Sequence, residues 1–257
     1  MIKIENISFT YPDGHKAIDN LNLSIKDNET VAVVGANGAG KSTLLTLLTG
    51  INFADEGSIH VNNIPVGSMT LRDVRKNVGI VFQNPDDQLF MSTVYDDIAF
   101  GPRNYGLSEA ETEKRVSGVL GTLEIEHLRN RVPHKLSGGE KRSVAIASVL
   151  SMEPVILLLD EPSSFLDPRC RHNLIAILKS LNLTQIIATH DLDLVLDVCN
   201  RVVVLKKGKI YAEGIPAEIL TQKQLMADCG LEPPLSLRGC PIYLDKKCKY
   251  ANMQREA

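Results

Sequence analysis

A glycine-rich segment at residues 35–42 constrains the fold of this chain more strongly than any other part of its sequence. It reads GANGAGKS and fits the pattern G-x-x-x-x-G-K-[ST] of a phosphate-binding loop. The apolar, β-branched run 30–34 before it predicts a buried strand, and the run 43–48 after it predicts a helix that ends at Gly50. A strand, turn and helix in this order direct backbone N–H groups and a helix N-terminus at an anion. The segment therefore predicts a binding site for the phosphates of a nucleotide.

The residue types within this phosphate loop suit that chemistry. Glycines allow the backbone to approach phosphate oxygens at points where a Cβ atom would intrude. Lys41 can reach the β- and γ-phosphates as a point charge, and the hydroxyl of Ser42 suits Mg²⁺. The alternative is a glycine-rich turn in which the Lys-Ser pair is accidental. On the first interpretation, the nucleotide contacts Gly35, Asn37, Gly38, Ala39, Gly40, Lys41, Ser42 and Thr43.

The composition is that of an ordinary globular protein. Of the 257 residues, 44% are hydrophobic and 23% are charged, which is enough for one large domain or a core with a subdomain. A net charge of −3 argues against nucleic acid as a main partner. The first four residues alternate as a strand does, without a signal-peptide pattern, and no apolar run approaches the ~20 residues that span a bilayer. If the protein acts at a membrane, we therefore expect another chain to provide the span.

The cysteines indicate an intracellular, reduced protein. There are five of them, an odd number, and they include no C-x-x-C pair. Cys229, Cys240 and Cys248 lie near one another in the sequence, and a metal-binding role is the alternative, although their spacing fits no standard site.

The N-terminal residues 1–28 predict antiparallel β-structure, because apolar and polar residues alternate and the alternation slips between Ile4 and Ile7. A Tyr-Pro-Asp-Gly turn separates the two runs. Tyr11 at the edge of this turn either stacks its ring on a flat base or packs on the sheet. Residues 59–63 predict a further hairpin.

Three later apolar runs predict buried strands that end in polar residues. They are residues 78–82, 155–159 and 186–189, and the polar residues that follow them are Gln83, the pair Asp160-Glu161, and His190. In open α/β sheets, ligands bind beyond the carboxyl ends of the strands. We therefore expect these side chains at the ligand-binding edge of a parallel sheet.

Each of these polar residues has a chemical role available to it. Asp160 can hold Mg²⁺, and Glu161 can orient or deprotonate a water that attacks the γ-phosphate. The alternative for this pair is a solvated acidic turn. Gln83 can reach a metal ion or a water, but a single glutamine is more often a surface residue. His190 can donate to the phosphate, although a lone histidine is usually structural.

Residues 136–142 (LSGGEKR) predict the start of a helix that binds an anion. Ser137 and Glu140 have the spacing of a capping box, and an apolar helix follows. Gly138 and Gly139 lie between them, and each lowers helix propensity by about 1 kcal/mol. A cap alone does not require these glycines, whereas close approach of a ligand to the backbone does. An anion is the natural ligand at a helix N-terminus.

Helical patterns fill much of the remaining sequence. Residues 93–130 are helix-like with Ser108 as a candidate N-cap, and Asp167 with Pro168 predicts the N-terminus of a later helix. Residues from about 218 onward are weakly patterned. Strands that alternate with helices indicate an α/β fold.

Taken together, these motifs resemble the nucleotide-binding subunits of ATP-binding cassette (ABC) transporters over residues 1–215. The phosphate loop, the signature segment 136–140, the Asp160-Glu161 pair and His190 occur in the order of that family.

The resemblance implies a fold and a domain organisation. The fold is an α/β P-loop NTPase (RecA-like) core with an N-terminal antiparallel β subdomain and a helical subdomain at about residues 90–150. The implied ABC ATPase domain covers residues 1–217, and a short C-terminal extension covers residues 218–257.

The resemblance also implies roles within one subunit. Lys41 joins the catalytic residues through its contact with the phosphates. Tyr11 matches the aromatic residue that stacks on adenine, and Gln83 matches the glutamine that contacts Mg²⁺ and the attacking water. Asp160 matches the aspartate associated with magnesium. Glu161 matches the catalytic base, and His190 matches the switch histidine.

Other implied roles lie across a subunit interface. Residues 137–139 match the signature that binds the γ-phosphate held by the opposite subunit, and Asp167 matches the loop aspartate that crosses the interface. ATP then joins two subunits, which fits a homodimer or a heterodimer with a paralogous ATPase. The sequence departs from the family at residues 163–165 (SSF), where smaller residues are commoner, and at Ser143, where a hydrophobic or basic residue is frequent. Neither departure touches the chemistry.

A narrower resemblance points to the energy-coupling-factor branch, whose members drive uptake of cobalt, nickel or vitamins. It depends on residues 82–90 (FQNPDDQLF) and 93–102 (TVYDDIAFGP). Asp86 and Asp87 would face the coupling helices of a transmembrane protein, and the alternative is a solvated acidic loop. Residues 233–237 (PPLSL) are similar to the tails of cobalt and nickel ATPases.

The resemblance therefore implies an ATPase that energises an importer of cobalt or nickel ions, with ATP and Mg²⁺ as its cofactors. Its partners would be a transmembrane coupling protein and a substrate-binding membrane subunit, with no nucleic acid, and it would lie peripherally on the cytoplasmic face of the cell membrane. A vitamin importer is the alternative, and a soluble ABC ATPase uncoupled from transport is a distant one. Glu161 and His190 argue against a module that binds ATP without turnover.

Overall fold

The computed structural model describes residues 1–237 and contains two β-sheets with helices packed against them. The strands are β1 (Ile2–Thr10), β2 (Lys16–Ile25), β3 (Thr30–Val34), β4 (Glu56–Val61), β5 (Ile64–Pro65), β6 (Val78–Val81), β7 (Ile156–Asp160), β8 (Thr184–Ala188), β9 (Arg201–Lys206) and β10 (Lys209–Gly214). The helices are α1 (Lys41–Leu48), α2 (Leu71–Asn77), α3 (Val94–Asn104), α4 (Glu109–Thr122), α5 (Gly138–Leu150), α6 (Pro168–Ser180), α7 (Leu192–Val198), α8 (Pro216–Ile219) and α9 (Lys223–Asp228).

The main sheet has six strands in the order β10-β9-β3-β8-β7-β6. All neighbouring pairs are parallel except β9 and β10, which form the hairpin at the edge. Along β7, Ile156 and Leu158 pack in one hydrophobic cluster, whereas Leu157 and Leu159 pack in another on the opposite face. Because both faces are covered, the strands consist of continuous apolar runs, as the sequence predicted.

The second sheet is antiparallel, with the order β2-β1-β4-β5. The predicted slip in alternation is confirmed, because the β1–β2 register shifts between Ile4 and Ile7, and Asn6 has a φ of 51°. The predicted hairpin at residues 59–63 is also confirmed. Asn62 and Asn63 have φ values of 47° and 64°, which a two-residue hairpin turn requires and which asparagine tolerates.

Helix α1 lies between the two sheets. Its four leucines (Leu44, Leu45, Leu47 and Leu48) are fully buried in one cluster with residues of β1, β2, β3 and β7. A helix that is apolar around most of its circumference must be enclosed, and this enclosure fixes the direction in which its N-terminus points.

Helices α3, α4 and α5 pack together, with β6 and β7, on the other face of the main sheet. The predicted N-caps are confirmed, since Ser108 begins α4 and Ser137 begins α5, each in a complete capping box. Asp167 caps α6, and Pro168 occupies its first position. The domain boundaries proposed from the sequence stay predictions.

The chain after β10 contains more structure than the weak sequence pattern indicated. Helices α8 and α9 have four and six residues, which is too short to show a helical period. They pack with α7 on β3 and β9, where Met226 and the free thiol of Cys229 are buried. Cys240 and Cys248 lie outside the described residues. Within residues 1–237, no group of three His, Cys, Asp or Glu side chains could hold a metal ion, and no helix is long and apolar enough to cross a bilayer.

Two glycines give a test of this packing, because the same substitution should act in opposite directions. A Cβ on Gly79 in β6 would lie 2.2 Å from Val149 Cγ1 of α5, so Gly79→Ala should lower the free energy of unfolding by about 1–3 kcal/mol. Gly118 is exposed inside α4, and a Cβ there would meet nothing within 4 Å. Gly118→Ala should therefore raise the free energy of unfolding by about 0.5–1 kcal/mol. Denaturant unfolding of both variants measures the two changes, and equal signs would contradict the packing described.

Candidate functional site

The phosphate loop connects the carboxyl end of β3 to the first turn of α1. No side chain caps this helix, and its first turn contains no acidic residue, so its N-terminal N–H groups and positive dipole end are available to an anion. Lys41 is only 7% exposed, and its Nζ donates to the carbonyl oxygens of Gly35 (2.9 Å) and Ala36 (3.3 Å). The ammonium group of Lys41 is thus held over the phosphate loop.

The loop glycines serve two different needs. A Cβ on Gly38 would meet nothing within 4 Å, so the space beside this residue is open to a ligand. A Cβ on Gly35 would lie 2.4 Å from the Leu205 carbonyl oxygen, and one on Gly40 would lie 2.6 Å from that of Ala17. Contact with phosphate was the expected reason for these glycines, but packing against the protein's own backbone already requires two of them.

Asp160 and Ser42 provide oxygen atoms at the same point. The Ser42 hydroxyl hydrogen-bonds to the Asp160 carboxylate, and Asp160 Oδ1 is buried without a partner among the described residues. Burial raises the pKa of Asp160, and the neighbouring charge of Glu161 raises it further. The hydrogen bond from Ser42 acts in the opposite direction and lowers this pKa. A hydroxyl oxygen and an unpaired carboxylate oxygen are ligands that Mg²⁺ accepts, so the residues present fit that ion.

Glu161 is held in one orientation by contacts of one carboxylate oxygen. Its Oε2 accepts from Thr189 Oγ1 (3.1 Å) and the His190 backbone N–H (3.1 Å), and it lies 2.7 Å from His190 Nδ1. Glu161 is 7% exposed and has a φ of 44°, an unfavourable backbone conformation for glutamate. A carboxylate so placed can accept a proton from water.

Most of these groups line one cleft of about 400 Å³, and Asp160 lies behind it in contact with Ser42. It is lined by residues 37–43 of the phosphate loop together with Tyr11, Gln83, Glu161 and His190. The structure therefore brings the predicted residues of one subunit together, from β3, α1 and the carboxyl ends of β6, β7 and β8. Their individual roles stay predictions.

Tyr11 stands at one side of this cleft. Its hydroxyl hydrogen-bonds to Thr43 Oγ1 (3.0 Å), and its ring contacts Phe9 edge-on at 4.9 Å between centroids. The His15 ring lies nearly parallel to it, 6.5 Å away. Sequence reasoning missed His15, which also lines the cleft, because a single histidine after a turn forms no recognisable pattern.

The signature segment lies elsewhere in the same chain. Ser137, Gly139 and Asp167 line a separate cleft of about 760 Å³, and Gly138 lines a third. The structure therefore does not bring them to the phosphate loop of their own chain.

The two signature glycines have different surroundings. A Cβ on Gly139 would lie 2.3 Å from Cys170 Sγ of α6, so a larger residue here would have to displace the Cys170 side chain. For Gly138, the nearest atom would be the Phe165 carbonyl oxygen at 4.0 Å. Of the two positions, Gly138 is the one that only an approaching ligand explains.

Sequence reasoning also missed Arg142, which fastens the Gln83 loop to α5. Arg142 is 3% exposed, and its guanidinium donates to the carbonyl oxygens of Phe82 (2.7 Å) and Gln83 (2.6 Å). Burial lowers the pKa of Arg142 to about 10. Lys141 of the same helix forms an ion pair with Asp86 at 2.6 Å. These contacts therefore tie the loop that carries Gln83 to the helix that begins at the signature.

Comparisons with known proteins agree with this arrangement. The family model described as ABC transporter matches residues 18–164. A putative ABC transporter ATP-binding protein of Geobacter sulfurreducens is 49% identical over 94% of this chain and 97% of its own length. An energy-coupling factor transporter ATP-binding protein, EcfA, of Carboxydothermus hydrogenoformans is 46% identical over 92% of this chain and 88% of its own.

Solved structures show the same fold. CbiO1 of Clostridium perfringens, part of the ABC transporter complex CbiONQ, superposes with a TM-score of 0.79 at 41% identity, covering 88% of this chain and 93% of that one. The ATP-binding cassette MJ0796, in a dimeric post-hydrolysis state with ADP and phosphate, superposes with a TM-score of 0.76 at 30% identity, covering 84% and 99%. The predicted P-loop NTPase fold with an antiparallel β-sheet and helices is thereby confirmed.

The buried carboxyl of Asp160 gives a test of the magnesium site. Because its pKa is raised by folding, the stability of the nucleotide-free chain falls as the pH rises through that pKa. Asp160→Asn removes the buried charge, so the melting temperature without ligand should rise at neutral pH, while the affinity for Mg²⁺ in the presence of ATP should fall about 10- to 100-fold. Thermal unfolding with and without Mg²⁺ and ATP measures both effects. The control is Asp73→Asn on α2, whose side chain is 64% exposed. Equal stabilisation of Asp160→Asn and the parent by Mg²⁺ and ATP would contradict the assignment.

Proposed function

The chain belongs to the ABC transporter family of ATP-binding proteins and hydrolyses ATP with Mg²⁺, and we propose that it energises an energy-coupling-factor-type importer for cobalt or nickel ions. The observation that carries the mechanism is the separation of the phosphate loop and the signature segment into different clefts of one chain.

The separation is explained if each ATP is bound between two chains. The phosphate loop of one copy binds the triphosphate, and Ser137, Gly138 and Gly139 of the other copy bind the γ-phosphate. A two-fold arrangement makes two such sites, in a homodimer or in a heterodimer with a paralogue. The dimeric state of MJ0796, with ADP and phosphate bound, supports this arrangement.

Within each site, Lys41 and the N-terminus of α1 bind the β- and γ-phosphates, and the Tyr11 ring stacks on adenine. Ser42, Asp160 and Gln83 would hold Mg²⁺, which when bound neutralises charge on the phosphate oxygens. Glu161 accepts the proton of the attacking water. His190 keeps Glu161 in place through Nδ1, and its outer nitrogen faces the γ-phosphate.

ATP binding is coupled to the membrane partner through the Gln83 loop. Asp167 crosses the dimer interface, although its carboxylate also accepts from the Arg169 and Cys170 backbone N–H groups of α6. When the signature helix of a copy moves toward its partner's nucleotide, Arg142 and Lys141 move the Gln83 loop with it. Asp86 and Asp87 of that loop face the coupling helices of a transmembrane protein, which places this chain peripherally at the cytoplasmic face of the membrane.

The branch follows from the resemblance of residues 82–90 and 93–102 to energy-coupling-factor ATPases, and the similarity to EcfA supports it. The choice of ion follows from the similarity of residues 233–237 to the tails of cobalt and nickel ATPases, and the similarity to CbiO1 of the CbiONQ complex supports it. The second candidate is a vitamin importer of the same branch, with the same ATPase role.

Replacing Glu161 with Gln tests both the base and the two-copy site. Glu161→Gln removes the proton acceptor, so ATP turnover should fall by about a hundredfold or more. ATP should still bind and accumulate between two copies, so sedimentation should show a dimer with ATP and a monomer without it. Glu218→Gln, at an exposed position of α8, is the control and should turn over normally. Unchanged turnover in Glu161→Gln would show that the base is another residue.

Co-purification with membrane proteins tests the importer. The transmembrane proteins that co-purify with the chain should raise its ATPase rate several-fold, and vesicles containing the complex should take up Co²⁺ or Ni²⁺ only when ATP is present. Asp87→Asn should weaken the stimulation, because Asp87 makes only a local hydrogen bond with Asn84 at 3.2 Å and remains exposed for a partner. ATP-dependent uptake of a vitamin without the metal ions would favour the second candidate, and absence of any stimulation would refute the proposed importer.

A further inference from the structure

Phe165 is unfavourable in the isolated chain in two ways. Its side chain is 95% exposed, equalled only by Met69 among the exposed large hydrophobic residues of the described part. Its φ is 63°, in the left-handed region that residues with a Cβ rarely adopt. Of the ten non-glycine residues with a positive φ in the described part, Phe165 is the only large apolar one, which makes it a candidate for a contact absent from the single chain.

The local backbone explains how the ring is presented. The Leu166 N–H donates to the Ser163 carbonyl oxygen at 3.3 Å, so Phe165 occupies the third position of a four-residue turn, where a positive φ is required and glycine is usual. The Ser164 N–H donates to the Glu161 carbonyl oxygen at 3.1 Å and ties the turn to the site. The turn therefore holds an aromatic ring outward at a fixed place.

That place lies within the surface that the proposed function requires to face a second copy. The Phe165 carbonyl oxygen is the nearest atom to the open side of Gly138, and Asp167 follows two residues later. Neither the signature segment nor Asp167 shares the phosphate-loop cleft of its own chain. The inference below rests on the proposed two-copy site.

A cleft of about 530 Å³ opens beside Phe165, which lines it together with apolar residues and with polar ones that include His190, Asp191 and Asp193. Leu192, Leu231, Pro233 and Leu235 contribute its apolar lining, and Leu235 is 73% exposed. The cleft wall is fixed, since the Asp193 carboxylate accepts from the backbone N–H groups of Leu235 (3.1 Å) and Ser236 (3.0 Å). The cleft therefore exists before any partner binds.

We propose that Phe165 of one copy packs into this cleft of a second copy, in a reciprocal pair of contacts that anchors the ATP-bound dimer. A two-fold interface requires a surface that is complementary to itself, and the projecting ring and the cleft lie side by side on one surface. Buried aromatic residues at the centre of an interface contribute much of its affinity. The exposed ring, its backbone conformation and the rigid apolar wall then have one common explanation.

The test uses the Glu161→Gln chain with ATP and Mg²⁺, in which hydrolysis does not disperse the dimer. Sedimentation equilibrium should show that Phe165→Ala and Leu235→Ala each weaken the dimer about 10- to 100-fold. The combined variant should weaken it by less than the product of the two, because both remove the same contact. Met69→Ala is the matched control, with an equally exposed side chain, and should leave the dimer constant unchanged.

The variant Phe165→Gly distinguishes a role of Phe165 in dimer formation from a role in the stability of the monomer. Glycine relieves the positive φ, so the nucleotide-free monomer should melt at a higher temperature while the dimer becomes weaker. The inference would be overturned if Phe165→Gly melted at a higher temperature while the dimer constants of Phe165→Gly and Leu235→Ala were unchanged. In that case the proposal that ATP is bound between two copies would still hold. A parent that stays monomeric with ATP would refute the proposed two-copy site itself. Loss of binding to the membrane proteins without loss of the dimer would also overturn the inference, and would assign Phe165 to that partner instead.

Discussion

The burial of α1 between the two sheets is the constraint on which the rest of the structure depends. Four fully buried leucines fix the helix axis, and its N-terminus then lies where β3 ends. The helix begins without a side-chain cap, so its free N–H groups and dipole need a negative ligand. Because β8 lies beside β3 and β7 lies beside β8 in the same parallel sheet, Glu161 and His190 reach this cleft, and Asp160 reaches Ser42 at its edge. Packing of apolar side chains thereby determines the position of the chemistry.

Much of this arrangement follows from local sequence patterns. The strand, loop and helix around Lys41, the capping boxes at Ser108 and Ser137, and the bulge between Ile4 and Ile7 all depend on residues close in the chain, and each is present in the structure. Such features are predictable because neighbouring residues alone determine their hydrogen bonds or their alternation.

The features that sequence reasoning missed depend on contacts between distant residues. Arg142 binds carbonyl oxygens about 60 positions earlier in the chain, so no local sequence pattern predicts this contact. Gly139 is crowded by Cys170 of a different helix, although the sequence suggested only an anion. Helices α8 and α9 are too short to show a period, and they form because Met226 and its neighbours cover the main sheet. In each case tertiary packing supplies the information that the local sequence lacks.

The segment between β7 and α6 joins the chemistry to the proposed interface. Its two ends are fixed, at Asp160 by the sheet and at Asp167 by the cap of α6, and both Glu161 and Phe165 between them have a positive φ. A short segment with fixed ends and two strained residues has few alternative conformations, so it cannot absorb a displacement at Phe165 locally. The hydrogen bond from Ser164 N–H to the Glu161 carbonyl oxygen connects this turn to the residue whose carboxylate lies against His190. If a second copy docks at this turn as proposed, it also bears on the position of the proposed catalytic base, and assembly of the dimer is then linked to hydrolysis.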